Sequence, residues 1–267
     1  MLKKKFKKIL SLLLLKIRYP NLVIIGGPSW LSFLFVRIKS LKGIYSQDGQ
    51  DTVISGLIDQ GFLRSNGKLM IDIGANHPIN MSNSYHFESN LGFRVIAIDP
   101  LAEMGSEWSL LRPGAGFLCC AVGGRSGVAQ LDAAIGMGGD TMFSSIKGSS
   151  VKHVQNGSKP RQVKVETITN ILERLDISVV DILSLDIEGY ELNALRGIDF
   201  SKISFGAILI ENNNDEILSG SSDIRRLLAR NGYVLMARFW NLDDLFINRS
   251  LLTGAEFPVN IFDCQDG

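Results

Sequence analysis

The sequence contains few of the residues that form disulfide frameworks and zinc sites. Among its 267 residues there are three histidines and three cysteines, and the cysteines are Cys119, Cys120 and Cys264. No pair of cysteines has the C-x-x-C spacing, so the sequence predicts neither a disulfide scaffold nor a zinc site. Because free cysteine is usually a buried apolar residue, we expect buried thiols and a reducing compartment, the cytoplasm.

An excess of charge of one sign is also missing. Lys and Arg total 28 and Asp and Glu total 27, which gives a net charge of +1 at pH 7. Nucleic-acid-binding domains usually present a basic face, and outside the N-terminus the sequence has no basic cluster. We therefore expect no nucleic-acid partner. Hydrophobic residues make up 45% of the chain and charged residues 21%, which is typical of a globular domain.

No apolar run reaches the ~18 uninterrupted residues of a membrane-spanning helix. The N-terminus is MLKKKFKKILSLLLLKIRYP, a basic cluster followed by leucines, and the next run, NLVIIGGPSWLSFLFV, is broken by Gly26, Gly27 and Pro28. The first run resembles a signal peptide but is not followed by a small-residue cleavage site. We predict that residues 1–40 form a basic, apolar helical extension. It either makes peripheral contact with an anionic membrane surface or packs on the domain or a partner subunit.

Residues 41–267 alternate short apolar runs with amphipathic stretches. This alternation predicts repeated β-α units and a doubly wound, mostly parallel sheet in one α/β domain. The predicted strands are KLMIDI, FRVIAID, GFLCCAV, VAQLDAA, RQVKVE, VVDILSLDI, SFGAILIEN, YVLMARFW and DDLFIN. The last two are close enough in sequence to pair as an antiparallel hairpin. A mostly parallel sheet that ends in such a hairpin is the Rossmann-like layout of class I methyltransferases.

Helices are predicted between these strands, over about residues 81–91 and at TITNILERL, EGYELNALRG and SSDIRRLLARNG. Gly197 and Gly232 are expected to lie just past two of the helix ends. The polar segment GMGGDTMFSSIKGSSVKHVQNGSKP is long for a loop in a compact domain. It predicts either a substrate lid, with Ser144 and Ser145 as candidate contacts, or a plain insertion.

The strand LMIDI is followed by a turn of small and polar residues, and the next strand ends in Asp99. In a doubly wound sheet, ligands lie beyond the carboxyl ends of the strands, near the switch in strand order. Glycine in this turn lets a ligand lie against the backbone, and Asp99 can accept hydrogen bonds from both hydroxyls of a ribose. The predicted cofactor-binding residues are Asp72, Gly74, Ala75, Asn76 and Asp99, with Ala121 and Val122 against an adenine ring.

The same turn lacks the glycines of a dinucleotide-binding motif. G-x-G-x-x-G lets a pyrophosphate approach a helix N-terminus, whereas here the second and third glycines are missing and Pro78 removes a backbone donor. S-adenosylmethionine has a sulfonium, an amino group and a carboxylate in place of a pyrophosphate. The carboxylate of Asp72 suits its cationic methionine portion, so the turn favours S-adenosylmethionine over a nicotinamide cofactor.

Four segments together resemble the FkbM family of S-adenosylmethionine-dependent methyltransferases. They are YSQDGQD (Tyr45–Asp51), DIGANHP (Asp72–Pro78), SNSYHFE (Ser82–Glu88) and LSLDIEGYELNALRGIDF (Leu183–Phe200), in that order within about residues 42–248. The resemblance implies methylation of a hydroxyl on a sugar, a glycan or a polyketide-like natural product. The expected partner is therefore a small-molecule or glycan acceptor.

The segment SLDIEGYE places acids at and beyond the end of another apolar strand. Methyl transfer to oxygen requires a hydroxyl held near the methyl group and a base for its proton, and Asp186 and Glu188 are candidate bases. Alternatively, Asp186 joins Glu211 and Asn212, at the end of the next strand, to bind Mg²⁺ or Mn²⁺, which would lower the pKa of the hydroxyl. His77 is a third catalytic candidate, although its imidazole could instead hold the loop by hydrogen bonds.

Other interpretations of these residues stay open. Glu191 could form a cap or a salt bridge on its helix surface, and Glu188 could lie in the first turn of that helix, where the dipole favours an acid. The domain could be a non-catalytic scaffold or, less readily, a nicotinamide-dependent reductase, a class whose glycines and Tyr-x-x-x-Lys pair are missing here. Four acids in one pocket, Asp72, Asp99, Asp186 and Glu188, would be costly to keep without a function and favour the catalyst.

Overall fold

A computed structural model describes residues 23–25, 45–47, 49–59, 63, 65, 67–133, 145–146, 159–212, 223–239 and 243–251. The strands in this part of the chain are β1 (Val23–Ile25), β2 (Leu69–Ile73), β3 (Arg94–Asp99), β4 (Gly116–Cys119), β5 (Ala121–Val122), β6 (Gly127–Ala133), β7 (Ser145–Ile146), β8 (Lys159–Glu166), β9 (Val179–Leu185), β10 (Ser204–Glu211), β11 (Tyr233–Phe239) and β12 (Asp243–Asn248). The helices are α1 (Gln50–Asp59), α2 (Tyr85–Leu91), α3 (Ala102–Leu111), α4 (Ile168–Arg174), α5 (Glu191–Leu195) and α6 (Asp223–Arg230), and a 3-10 turn covers Arg249–Leu251.

Eight strands form the main sheet, in the order β1-β11-β12-β10-β9-β2-β3-β4. Among these described strands, β12 alone runs antiparallel, and it lies between β10 and β11. The parallel strands with their C-terminal hairpin confirm the predicted class I methyltransferase layout. From β2 the chain continues to β3 and β4 on one side, and it then returns to β9 on the other side. The switch in strand order therefore lies between β2 and β9, where a ligand cleft is expected.

The central strands are buried on both faces, as expected for a parallel sheet between two helix layers. All of Leu69–Ile73 is buried in β2, and Val180–Leu185 is buried in β9. Alternate residues of β2 point to opposite faces, so Ile71 packs in one apolar cluster and Met70 in the other. Helices α4, α5 and α6 contribute to the first cluster, and α1, α2 and α3 contribute to the second.

A second, smaller sheet has the order β5-β8-β6-β7 and contains the predicted strands VAQLDAA and RQVKVE. The prediction of a single strand at GFLCCAV is wrong. The backbone N–H of Cys120 donates to the carbonyl of Leu118 at 3.2 Å, so the chain turns there, and Ala121 pairs with Val165 of the small sheet instead. Cys120 is buried as expected, but Cys119 at the edge of the main sheet is exposed. Of the predicted loop contacts, Ser144 lies outside the described residues, as does Cys264, and only the backbone of Ser145, in β7, is described.

Helices α2 and α5 begin later than predicted. Local hydrogen bonds explain the late start of α2. The hydroxyl of Ser82 accepts from the backbone N–H of Tyr85 at 3.2 Å, and Met81 has φ +58°, so residues 81–84 form a turn before α2. Helix α5 begins only after Glu188 and Gly189, which have φ +56° and +87°. A right-handed helix cannot pass through two left-handed residues.

The N-terminal extension is described only at β1, which pairs in parallel with β11 at the edge of the main sheet. These three residues form a strand rather than the expected helix. The rest of residues 1–40, with its predicted membrane or subunit contact, lies outside the described residues. Among the helices that the structure describes, none is long and apolar enough to cross a membrane.

A fully buried ion network joins α6 to the C-terminal hairpin. The carboxylate of Asp244 accepts from Arg225 Nε at 2.8 Å, from Arg238 Nη1 at 2.7 Å and from Asn212 Nδ2 at 2.7 Å. Burial alone would raise the pKa of Asp244, but the two guanidinium groups outweigh burial and lower it. The network therefore fixes β12 between its neighbours through one ionised carboxylate.

Replacing Asp244 with alanine is expected to lower the free energy of unfolding by about 3–5 kcal/mol, because two buried guanidinium groups lose their common partner. Urea denaturation of the wild type and of Asp244→Ala measures the difference. Glu173→Ala is the matched control, since it breaks an exposed ion pair with Lys202 and should cost less than about 1 kcal/mol. Equal losses of unfolding free energy in the two variants would contradict the stabilising role of the buried network around Asp244.

Candidate active site

A cleft lies at the switch in strand order, beyond the carboxyl ends of β2, β3 and β9. The space between its walls, including its open mouth, is about 540 Å³. The lining residues are Ile73, Gly74, Asn76, Ile98, Asp99, Pro100, Leu101, Cys120, Ala121, Val122, Leu131, Asp186, Ile187 and Glu188. The structure therefore brings together residues from five separate segments of the chain.

Seven of the predicted site residues line this cleft: Gly74, Asn76, Asp99, Ala121, Val122, Asp186 and Glu188. Asp72, Ala75 and His77 do not line it. Sequence reasoning missed the apolar wall made by Leu101 and Leu131. Leu101 directly follows the Asp99-Pro100 strand end and could have been found from that position, whereas Leu131 reaches the cleft only because the small sheet folds over it.

The turn at Gly74 brings the ends of the three strands into backbone contact. The N–H of Gly74 donates to the carbonyl of Ile98 at 2.9 Å, and the N–H of Asp186 donates to the carbonyl of Ile73 at 3.1 Å. Gly74 has φ +78°, and a Cβ atom there would lie 1.7 Å from the carbonyl oxygen of Asp186. Both the conformation and the close approach require glycine.

Asp99 orders the loop that follows this turn. One carboxylate oxygen accepts from the N–H of Asn76 at 3.1 Å and the other accepts from the N–H of Leu101 at 2.9 Å. Asn76 has φ +40°, and its carbonyl accepts from Trp108 Nε1 at 2.7 Å. Burial raises the pKa of Asp99 to about 6, against the opposing effect of the two backbone donors. Asp99 is thus mostly ionised at pH 7 and has lone pairs to offer a ligand hydroxyl.

Asp72 is buried next to the turn and is not among the lining residues of the cleft. Burial raises the pKa of Asp72, and the hydroxyls of Ser84 and Ser184 and the charge of Arg112 oppose this rise. The structure therefore gives Asp72 protein partners, and its predicted contact with a cofactor stays a prediction.

Arg112 holds the segment between the turn and α2, a function that sequence reasoning missed. Its guanidinium donates to the carbonyl of Pro78 at 3.0 Å and to Ser84 Oγ at 2.9 Å, and it forms an ion pair with Glu88. The guanidinium carbon also lies 4.3 Å from the centre of the Trp108 ring. No local sequence pattern predicts these contacts of Arg112, because its partners are distant in sequence.

His77 closes its own turn. Its Nδ1 accepts from the backbone N–H of Ile79 at 3.0 Å and from that of Asn80 at 2.9 Å. With Nδ1 as an acceptor, the neutral imidazole carries its proton on Nε2. This geometry favours the loop-holding alternative, while the catalytic role of His77 stays a prediction.

Further carboxyl groups lie next to Asp186, which lines the cleft. Oxygen atoms of Asp186, Glu191 and Glu211 all lie within 4.8 Å of one another. Glu191 is buried rather than on the helix surface, so the surface interpretation is wrong. Its Oε1 accepts from the N–H groups of Ile187 at 2.9 Å and Gly189 at 3.0 Å, which folds the segment after β9.

These carboxyl groups retain protons more strongly than ordinary acids. Burial, followed by the charge of Asp186, raises the pKa of Glu188 to about 8 and that of Glu191 to about 7. The same causes raise the pKa of Glu211 to about 11, and burial raises the pKa of Asp186. Because like charges repel at this spacing, the acids of the cluster do not all ionise at pH 7.

The predicted metal set Asp186, Glu211 and Asn212 is only partly assembled. Asp186 and Glu211 lie together, with Glu191 as the third carboxylate. The side-chain nitrogen of Asn212 donates to Asp244 in the buried ion network instead. A carboxylate triad of this kind offers the oxygen ligands that Mg²⁺ and Mn²⁺ prefer.

Gly74→Ala is expected to destabilise the protein far more than Gly92→Ala. Both glycines have positive φ, but a Cβ at Gly92 meets nothing within 4 Å, so this control carries only the conformational cost of about 1–2 kcal/mol. The clash with Asp186 should add at least about 2 kcal/mol in Gly74→Ala, within the range of strain costs in tight cores. Urea denaturation measures both losses, and equal losses would show that the turn relaxes around the new methyl group.

The Methyltransferase FkbM domain model matches residues 72–235, more than half of the chain. Among solved structures, a TehB-like SAM-dependent methyltransferase from Corynebacterium glutamicum ATCC 13032 is 14% identical over 82% of this chain and 97% of its own, with a TM-score of 0.38, a likeness too low to add to the assignment. No curated protein matches the chain. The domain match spans both the Gly74 turn and the Asp186 segment, and the chain belongs to the FkbM family of S-adenosylmethionine-dependent methyltransferases.

Proposed function

We propose that the protein methylates a hydroxyl group of a sugar, glycan or natural-product acceptor. The observation that carries this proposal is the position of Asp186 and Glu188, which line the same cleft as Gly74 and Asp99. Acids that can take up a proton thus lie beside the residues suited to a nucleoside. An alcohol is a poor nucleophile until its proton has an acceptor, and this cleft provides one.

The residues of the cleft fit S-adenosylmethionine. The carboxylate of Asp99 would accept hydrogen bonds from ribose hydroxyls, while Leu101, Ala121 and Val122 give an apolar wall for adenine. Gly74 allows the ligand to approach the backbone because a side chain there has no room. When bound, S-adenosylmethionine supplies an electrophilic methyl group on a cationic sulfonium, and the carboxyl-rich wall is electrostatically suited to that charge.

Glu188 is the best candidate for the general base. Its pKa of about 8 is close to the pH at which a base is both available and able to accept a proton. Its φ of +56° is a strained conformation for a residue with a side chain, and such strain concentrates at functional sites. Burial raises the pKa of Glu188, and the charge of Asp186, which lines the same cleft, raises it further.

The acidic wall also favours a neutral hydroxyl over an anionic nucleophile. A carboxylate or phosphate brought directly against Asp186 and Glu188 would meet like charge whenever either acid is ionised, which raises the cost of binding. A sugar hydroxyl can donate a hydrogen bond to either carboxylate instead. Amines would also be attracted to this wall. Product analysis must therefore distinguish N-methylation from O-methylation.

Glu188→Gln is expected to lower kcat by about 10²–10⁴-fold, because the glutamine cannot accept the proton. In the wild type, kcat/KM should fall as the pH drops below about 8, where Glu188 becomes protonated, and the variant should lose this dependence. Product mass and NMR after transfer of a deuterated methyl group identify the methylated oxygen.

The matched control for this variant is Glu107→Gln, an acid on the exposed side of α3. Calorimetric titration should give the same affinity for S-adenosylmethionine in the wild type and both variants. An unchanged pH profile in Glu188→Gln would remove Glu188 from the chemistry. Binding of NADH in place of S-adenosylmethionine would overturn the methyltransferase mechanism altogether.

A divalent cation is the alternative activator at the triad of Asp186, Glu191 and Glu211. Such an ion would need ionised carboxylates and would compete with their protons, and burial, followed by the charge of Asp186, raises the pKa of Glu211. We therefore expect treatment with EDTA to leave the rate of methyl transfer within about twofold of the untreated enzyme. A loss of tenfold or more that Mg²⁺ or Mn²⁺ restores would assign the triad to a metal ion instead.

A further inference from the structure

A second concave surface adjoins the cleft and is not used by the mechanism above. This surface, here named the arginine groove, is lined by Gly123, Gly124, Arg125, Val165, Tyr190, Asn193 and Arg196 and has a volume of about 840 Å³ including its mouth. Its residues come from the loop after β5, from β8, and from α5 with its flanking residues. Both arginine side chains are exposed to solvent there.

Residues that are close in sequence line the cleft and the groove. Val122 lines the cleft and the next residue, Gly123, lines the groove. Glu188 lines the cleft and Tyr190, two residues later, lines the groove. Cα atoms two residues apart are at most about 7.6 Å from each other. A molecule that meets Glu188 with one group can therefore reach the groove with another.

Close backbone packing brings the two arginines into one groove. A Cβ on Gly197 would lie 2.6 Å from the carbonyl oxygen of Gly123, so glycine at that position lets the end of α5 approach the loop after β5. The side chain of Asn193 adds a hydrogen bond, with Oδ1 accepting from the N–H of Gly124 at 2.7 Å. Arg125 and Arg196 are thus presented by two segments that are held together.

The two guanidinium groups have no ion-pair partner among the carboxylates that the structure describes, unlike Arg112, Arg161, Arg174 and Arg225. Guanidinium groups bind carboxylate and phosphate through paired hydrogen bonds, and two of them in one concave surface form a site for an anion. Tyr190 gives the same surface an aromatic side chain, which combines apolar area with a hydroxyl.

We infer that the arginine groove binds an anionic group of the methyl acceptor while a hydroxyl of the same molecule meets Asp186 and Glu188. This inference rests on the proposed function and specifies its substrate as a hydroxylated acid, either a sugar carboxylate or a sugar phosphate. The two charged surfaces define one orientation, because the anion is repelled by the acidic wall and attracted by the groove. The acceptor then enters with its hydroxyl towards the base.

Binding to the protein loaded with S-adenosylhomocysteine tests the inference without requiring turnover. The probes are D-glucuronate, D-glucose 6-phosphate and, as their neutral counterpart, D-glucose. We expect at least one anionic probe to bind at least about tenfold more tightly than glucose, with a preference that weakens in high salt. A comparison of the two anionic probes tells a carboxylate site from a phosphate site.

The variants are Arg125→Gln, Arg196→Gln and the double substitution, with Arg94→Ala as the control. Arg94 is an exposed arginine at the start of β3 and lines neither surface. The double variant should bind the anionic probes no better than glucose, while the control and the affinity for S-adenosylmethionine stay unchanged. Thermal unfolding confirms that each variant is folded.

Two results would overturn the inference: equal affinity for the charged and neutral probes, or an anion preference that survives in the folded double variant. Failure of the proposed function gives a different pattern. If the anion preference is lost with the arginines but product analysis finds methyl transfer to nitrogen instead of oxygen, the groove is an anion site and the O-methylation proposal fails. If oxygen is methylated, KM for the anionic acceptor should rise at least about tenfold in the double variant while kcat is maintained.

Discussion

The close approach of the Gly74 turn to the backbone of Asp186 is the contact on which the rest of the site depends. It joins the ends of β2 and β9 at the point where the strand order switches, and the bond from Gly74 to Ile98 adds the end of β3. The cleft lies where three parallel strands end, and Gly74 places no side chain there. Asp99 and Asp186 therefore line the same cleft although they are far apart in sequence.

Carboxyl groups occur in two different electrostatic environments in this fold. At Asp244, one carboxylate is surrounded by two guanidinium groups and an amide, and its pKa falls in spite of burial. At the cleft wall, carboxyl groups face each other, and their pKa values rise. The first arrangement stabilises the sheet around one ionised carboxylate. The second arrangement costs stability, but it provides groups that can exchange protons, which is the property that a base requires.

The sequence was sufficient to predict the parts of the fold and site that local patterns encode. Continuous apolar strands predict a parallel sheet, and an acid directly after such a strand predicts a residue at the cleft, as at Asp99 and Asp186. Pairings between distant segments could not be predicted this way. Three features depend on partners that the local sequence does not identify. They are the change of sheet at Cys120, the hydrogen bonds of Arg112 to the loop before α2, and the burial of Glu191.

The clearest difference between prediction and structure also bears on the chemistry. The sequence predicts a helix that includes Glu188, and in the first turn of a helix the dipole would stabilise its carboxylate and lower its pKa. In the structure, Glu188 and Gly189 take left-handed conformations and α5 begins at Glu191. Glu188 is thereby removed from the helix and left beside Asp186, where its pKa is about 8. The interruption of the helix therefore leaves the proposed general base where burial, followed by the charge of Asp186, raises its pKa.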